Sequence, residues 1–134
     1  MFLLDTVILS ELRKRERNPG LLRWVGEQRA ADLFLSVVSV GEIERGIARQ
    51  RESNPDFATT LANWLDRLVH LYSDRIIAVD LGVARRWGRL SANLGHDGAD
   101  LLLAATAQEH GLTVVTRNVR HFQPAGVPVL NPFS

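Results

Sequence analysis

Apolar positions along this chain follow two alternating patterns. Short dense runs at Phe2–Leu4, Leu33–Val37, Arg75–Val79, Thr113–Thr116 and Val127–Leu130 have the length and branched side chains of strands buried in a sheet. Between them apolar residues recur every three or four positions, which predicts helices over about 6–15, 20–29, 39–52, 55–72, 80–94 and 98–110. Gly111 stands where a helix-ending glycine is expected, just before Thr113–Thr116. Short strands alternating with helices predict an α/β fold, a parallel sheet covered by helices. Pro55–Tyr72 carries Phe57, Leu61, Trp64, Leu65, Leu68 and Leu71 at helical spacing. Most of that stripe is expected to be core, and a dimer or partner surface is its other use.

The chain has 134 residues, of which 46% are hydrophobic and 23% charged, with no repeat, low-complexity tract or linker. That suits one domain over 1–134 with a real core and is short for two. No apolar run approaches a membrane span. The opening MFLLDTVILSELRKR is interrupted by Asp5 and has no basic leader or small-residue cleavage site, so it does not read as a signal peptide. The absence of cysteine excludes disulfides, thiolate ligands and thiol nucleophiles, and suits a cytoplasmic location. Sixteen basic and 15 acidic residues nearly cancel. Every basic residue except Lys14 is arginine, whose planar fork suits phosphates and carboxylates. A GC-rich genome would produce the same bias.

In open parallel sheets, ligands bind beyond the carboxyl ends of the strands. Asp5 ends the first apolar run, Glu42 lies in the first turns of the helix after Leu33–Val37, and Asp100 opens the helix that leads to Thr113–Thr116. Crowding three carboxylates costs repulsion unless a cation joins them. Mg²⁺ or Mn²⁺ takes such oxygen ligands, and a metal held this way activates water and stabilises charge on a phosphodiester. Each acid also has a plainer use: Asp5 as the N-cap of a helix starting at Thr6, Glu42 as a surface residue, Asp100 as a first-turn acid. Only the constellation favours the site. On its helix Glu42 shares a face with Arg45, Gly46 and Arg49, opposite Val40, Ile43 and Ile47. Those arginines either follow a phosphate backbone or simply face solvent. Asp80 is expected as an N-cap, Asp97 in a turn before Gly98, and Glu11 as a helix-surface partner of nearby arginines.

Three segments, LDTVILSELRK, SVVSVGEIERGI and DLLLAATAQEHGLTVVTRNVRHF, occur in that order over nearly the whole chain. They resemble the VapC-type PIN-domain toxins, including their FitB-like branch. The first is similar to the family's LDTNVISEL, the second to its S-x-x-S/T-x-x-E-[IL]-x-x-G-[IV]. The third, the longest and most specific, is similar to D-x-[LI]-I-A-A-T-A-x-x-H-G-L-T-[LV]-V-T-R-N-x-x-[DH]-F. The resemblance implies a three-layer α/β/α sandwich with a parallel sheet and Mg²⁺- or Mn²⁺-dependent cleavage of RNA. It implies Asp5, Glu42 and Asp100 as the catalytic acids, with Asp5 and Asp100 as metal ligands. Thr6 would hold another ligand or touch substrate, and Thr116 and Asn118 would border the pocket. It further implies a homodimer silenced by an antitoxin that wraps the toxin and can place a basic side chain in its pocket.

Two positions depart from the family pattern. Val7 stands where asparagine is common, and His121 where many members have a fourth acid. Neutral imidazole suits Mg²⁺ poorly and Mn²⁺ acceptably, so one firm metal site is expected, with His121 contacting a ligand residue or RNA. His110, at a helix end, is expected to answer the helix dipole. A phosphoacceptor receiver domain also gathers acids at strand ends but needs a lysine near its last strands, and Lys14 is in the first helix. A catalytically weak PIN-like module, acting only within a toxin–antitoxin complex that could be DNA-bound, is the other reading.

Overall fold

The computed structural model describes all 134 residues. Strands β1 (Phe2–Leu4), β2 (Leu33–Ser36), β3 (Ile76–Ile77), β4 (Thr113–Val115) and β5 (Val129–Leu130) form one parallel sheet in the order β3-β2-β1-β4-β5. Seven helices accompany them: α1 (Thr6–Arg13), α2 (Pro19–Glu27), α3 (Val37–Ser53), α4 (Pro55–Leu71), α5 (Leu81–Leu94), α6 (Ala99–His110) and α7 (Val119–Phe122). Successive strand residues point to opposite faces, and the core divides accordingly. Leu4 and Leu35 pack with Ile8, Leu21, Ile43 and Leu65 from α1 to α4. Leu3 and Val114 pack with Leu103, Ala104, Ala107 and Phe122 on the other face, where Leu90 and Leu94 of α5 close over them. The result is a three-layer α/β/α sandwich.

Strand order makes β1 the pivot. The chain leaves β1 for β2 and β3 on one side, then crosses to β4 and β5 on the other. The carboxyl ends of β1 and β4 therefore flank the switch point where connections diverge, and a crevice forms there.

Most expected elements are present with altered ends. Strand β2 stops at Ser36, and α3 begins at Val37 because the Ser36 hydroxyl accepts from the Val38 amide at 3.0 Å, capping the helix early. Strand β3 shrinks to two residues, and α7, four residues long, was not expected because it is too short to show a period. Gly111 has φ 65°, as expected of a helix-ending glycine. The α4 stripe needs a correction: Leu65 is buried, Phe57, Leu61, Trp64 and Leu68 are half-buried, and Leu71 is 65% exposed. Leu71 is the last helical residue, and Tyr72 takes the buried place instead. No helix is long and apolar enough to cross a membrane.

The turn after α4 is secured by one side chain. The Arg75 guanidinium donates to the carbonyls of Ala30, Leu33 (3.1 Å) and Leu71 (3.0 Å), and lies over the Tyr72 ring at 4.5 Å. Its side chain is only 13% exposed. Removing a charged donor would leave those acceptors short of partners. Arg75→Ala is expected to cost roughly 2–3 kcal/mol of stability, read as a lower midpoint in urea unfolding. An unchanged midpoint would show that β2 and α4 are joined by packing alone.

Candidate active site

The last residue before α1 is a buried acid. Asp5, 4% exposed, follows β1, and its amide donates to the Val115 carbonyl of β4 at 3.0 Å. Its Oδ1 accepts from the Thr6 amide at 2.7 Å, and its Oδ2 from the Thr116 hydroxyl at 2.8 Å. Thr116 Oγ1 in turn accepts from the Asn118 amide at 2.9 Å. Asp5 is thus the N-cap of α1 and a member of the carboxylate group at once. Each oxygen still has a lone pair beyond these bonds.

Thr6 links Asp5 to Glu42. Its hydroxyl lies 2.7 Å from Glu42 Oε1 and 3.0 Å from Ser39 Oγ. A hydroxyl has one proton and a carboxylate only accepts, so Thr6 donates to Glu42 and receives from Ser39. Packing of α1 against α3 brings these residues together; of the predicted apolar face Ile43 and Ile47 are buried and Val40 is half-buried, and Ile43 also borders the groove that Glu42 edges. Arg45 is exposed, forms no ion pair and lines none of the clefts here.

Asp100, in the first turn of α6, lies with Oδ2 2.8 Å from His121 Nδ1. The carboxylate cannot donate, so Nδ1 carries the proton of this bond. Asp100, His121, Glu42 and Arg120 line a cleft of about 510 Å³ that His96 also enters. As they stand, no three His, Asp or Glu side chains converge closely enough to enclose a cation. Glu42 is drawn to Thr6 and Asp100 to His121.

The electrostatics still join the three acids. Burial pushes the Asp5 carboxyl above its ordinary value, the Thr116 and Thr6 hydrogen bonds oppose this, and the negative fields of Asp100 and Glu42 add to it. A carboxyl raised chiefly by burial, with Asp100 and Glu42 adding smaller negative fields, would be relieved by a cation beside it. The donors are hard oxygens, which match Mg²⁺ or Mn²⁺.

The minor expectations divide. Asp80 caps α5 by accepting from the Val83 amide at 2.9 Å, and Asp97 lies in the connection between α5 and α6. Glu11 pairs with Lys14 at 3.0 Å and with the Asn18 amide at 2.9 Å, instead of with an arginine. Both contacts, the Lys14 one foremost, hold its carboxyl below the usual range. Ser39 was not anticipated as part of the site, although it stands one helical turn before Glu42, where the two share a face.

A parallel sandwich with acids near its switch point places this chain among the open-sheet α/β proteins, whose ligands bind beyond the strand ends. The PIN domain signature matches residues 2–127, and the chain belongs to the PIN-domain family. It is 32% identical to the plasmid stability protein StbB of Pseudomonas syringae pv. tomato, with 99% of each chain aligned. The same identity relates it to the VapC ribonuclease Y4jK of Sinorhizobium fredii (99% and 98% covered) and to toxin FitB of Neisseria gonorrhoeae (99% of each). The fold superposes on the crystal structure of FitAcB from Neisseria gonorrhoeae with a TM-score of 0.86, 32% identity and 98% of each chain covered.

The raised Asp5 carboxyl fixes a sign for stability against pH. Below its ordinary value of 3.8 the group is protonated in both the folded and the unfolded chain, and nothing is lost. As pH rises, the unfolded chain gives up its proton first, so folding becomes costlier through the folded value and stays so at neutrality. Asp5→Asn removes that cost. In chelator-treated protein this variant is expected to melt at a higher temperature than the native chain at pH 7, the gap closing as pH approaches 3.8. A native chain that melts higher at pH 7 would contradict the assigned direction.

Proposed function

We propose that this chain is a metal-dependent endoribonuclease, the toxin of a toxin–antitoxin pair, working as one PIN domain over residues 1–134. The observation that carries this reading is Asp5: a buried carboxylate at the switch point, raised in pKa and faced by Glu42 and Asp100. The relatives named VapC ribonuclease and toxin FitB support it.

Asp5 and Asp100 would hold Mg²⁺ or Mn²⁺. Bound there, such a cation neutralises charge on a phosphodiester and makes water more acidic. The chain's own residues have separable tasks. Thr116 and the Thr6 amide fix both Asp5 oxygens, leaving one lone pair on each without a partner. His121 orients Asp100, and Asn118 holds Thr116 through its amide. Glu42, aligned by Thr6 and Ser39, would take the proton of the water that attacks phosphorus, while the bond to the leaving ribose oxygen breaks and that oxygen is protonated from solvent. Arg45, exposed one turn beyond Glu42, meets the RNA backbone further from the cut.

The FitAB structure bound to a DNA fragment, at 30% identity and TM-score 0.86, supports an antitoxin partner and a complex that binds DNA. A groove between α1, α3 and α4 has apolar walls from Ile43, Phe57, Leu61 and Trp64, with Glu42 and Arg13 at its polar edge. It suits an antitoxin segment that sends a basic side chain towards Glu42. A cytoplasmic homodimer completes the reading.

One observation favours a catalytically weak binding module instead: Asp100 is engaged by His121, and no three acid or imidazole groups converge. Metal binding and cleavage separate the two. Asp5→Asn and Asp100→Asn are each expected to abolish metal-dependent RNA cleavage and growth inhibition while the circular dichroism of the fold is retained. Full activity in either variant would remove these residues from the mechanism. Glu42→Gln is expected to lower kcat about a hundred-fold or more, the range for loss of a general base, while calorimetric Mg²⁺ affinity changes little. Native protein that binds no divalent cation by calorimetry would favour the module.

A further inference from the structure

Between the carboxylate cleft and the C-terminal segment lies a smaller pocket of about 310 Å³ lined by Arg117, Asn118, Val119, Arg120, His121 and Asn131. No carboxylate lines it. Neither arginine forms an ion pair, and both are exposed. The pocket shares Arg120 and His121 with the 510 Å³ cleft of Glu42 and Asp100. It shares Arg117 and Asn118 with a 440 Å³ cleft on its other side, which reaches Thr6 and Lys14. Through these shared walls the three spaces adjoin one another in a row, a trough interrupted by side chains, with the acid-free pocket in the middle.

Arg117 is held in place by the residue opposite it. Its guanidinium lies over the Phe133 ring at 5.1 Å, and that ring packs against the core. The segment carrying Phe133 is pinned in turn: Asn18 Oδ1 accepts from the Ser134 amide at 3.1 Å, and Asn18 Nδ2 donates to the Ser134 carbonyl at 3.2 Å. Gly20 lets the two backbones meet, because a Cβ there would lie 2.7 Å from the Ser134 nitrogen and 2.8 Å from the Pro132 oxygen. Asn131 Oδ1 accepts from the Phe133 amide at 3.0 Å, which leaves its side-chain NH₂ free to donate. Glu11, in the 440 Å³ cleft, has Lys14 as its ion-pair partner; it feels the Arg117 charge only as a weaker field and forms no ion pair with it.

We propose that this middle pocket is a phosphate subsite. It receives the phosphate next along a single RNA strand from the one that is cut, held by Arg117, Arg120, Asn118 and Asn131. The outer face of the Arg117 guanidinium, backed by Phe133, carries the adjoining unpaired base. Guanidinium planes stack on splayed bases of single-stranded RNA, and a trough rimmed by arginine follows a backbone with little regard to sequence. Phe133 is a positioning residue that acts through Arg117. The inference rests on the ribonuclease reading above and adds where the strand lies.

The test uses the full chain carrying Asp100→Asn, so that RNA is not consumed, and a fluorescently labelled single-stranded oligoribonucleotide followed by anisotropy across a salt series. Arg117→Ala and Arg120→Ala are each expected to weaken binding about ten-fold at low salt. Each should also lower the slope of log K against log salt by about 0.7, the loss of one phosphate contact on a single strand. Arg117→Lys keeps the charge and is expected to keep the slope while losing about five-fold in affinity, as stacking is lost. Phe133→Leu should do the same, a pattern that destabilisation alone would not give. Unchanged affinity and slope in both arginine-to-alanine variants, while the native chain cleaves RNA, would overturn the subsite and leave the nuclease reading standing. A native chain that neither binds nor cleaves RNA with Mg²⁺ or Mn²⁺ would overturn both.

Discussion

Asp5 is an acid in a place where acids are expensive. It stands at the end of the central strand, almost wholly out of water, and its charge is sustained by two short hydrogen bonds and opposed by two neighbouring carboxylates. Removing a hydrogen-bonded charge from water is tolerated only when its partners are fixed, so the surrounding structure must hold Thr6 and Thr116 firmly. It does so with the sheet. Asp5 and Thr116 follow adjacent parallel strands, whose ladder continues through the Asp5 amide to Val115 and the Thr116 amide to Leu130. The register that buries Leu3 and Leu4 on opposite faces is the register that sets the two polar side chains against each other.

From this centre the order of the fold becomes intelligible. Thr6 must begin a helix to present its amide to Asp5, and the same residue's hydroxyl then meets α3. Glu42 reaches the site because Ile43 and Ile47 commit the other face of α3 to the core. Asp100 is brought near by α6, whose buried alanines lie close against the sheet. Each acid therefore comes from a separate helix, and no short segment could assemble them. Their mutual repulsion is what the cation of the proposed function would relieve, while in this structure Glu42 and Asp100 take Thr6 and His121 as local partners.

Much of this was legible in the residues. Dense apolar runs located all five strands, and the strand-end position made Asp5 a candidate that its N-cap role matched until Glu42 and Asp100 were set beside it. Thr116 and Asn118 were expected from the resemblance alone, and the structure puts them in one hydrogen-bonded chain with Asp5. Other features depend on distance in space and had no local signal. The Ser39–Thr6–Glu42 relay requires α1 to cross α3, which periodicity does not encode. The early start of α3 turned on a single hydroxyl cap at Ser36. Leu71 fitted the apolar stripe by spacing, yet the helix ends there and the stripe's last place goes to Tyr72. Arg117 and Arg120 lay within the longest family-like segment but meant little until α7 and the C-terminal segment placed them around one pocket.

A site made of acids faces a difficulty when its ligand is a polyanion. Three carboxylates repel a phosphate chain as surely as they attract a metal, and a cation that offsets two of them leaves little attraction over. Net charge offers no remedy, since the chain as a whole carries only +1. The attraction must then be local, close to the acids yet not neutralised by them. Arg120 borders the carboxylate cleft and Arg117 stands one pocket away, both free of ion pairs, while the nearby Glu11 is already paired with Lys14. Segregating the charges in this way lets a cation and a phosphate chain be drawn to adjacent points of the same strand ends. The arrangement also explains why a ring belongs at Phe133. Arg117 forms no ion pair that would position it, and an aromatic face holds the guanidinium without cancelling the charge that the strand would meet.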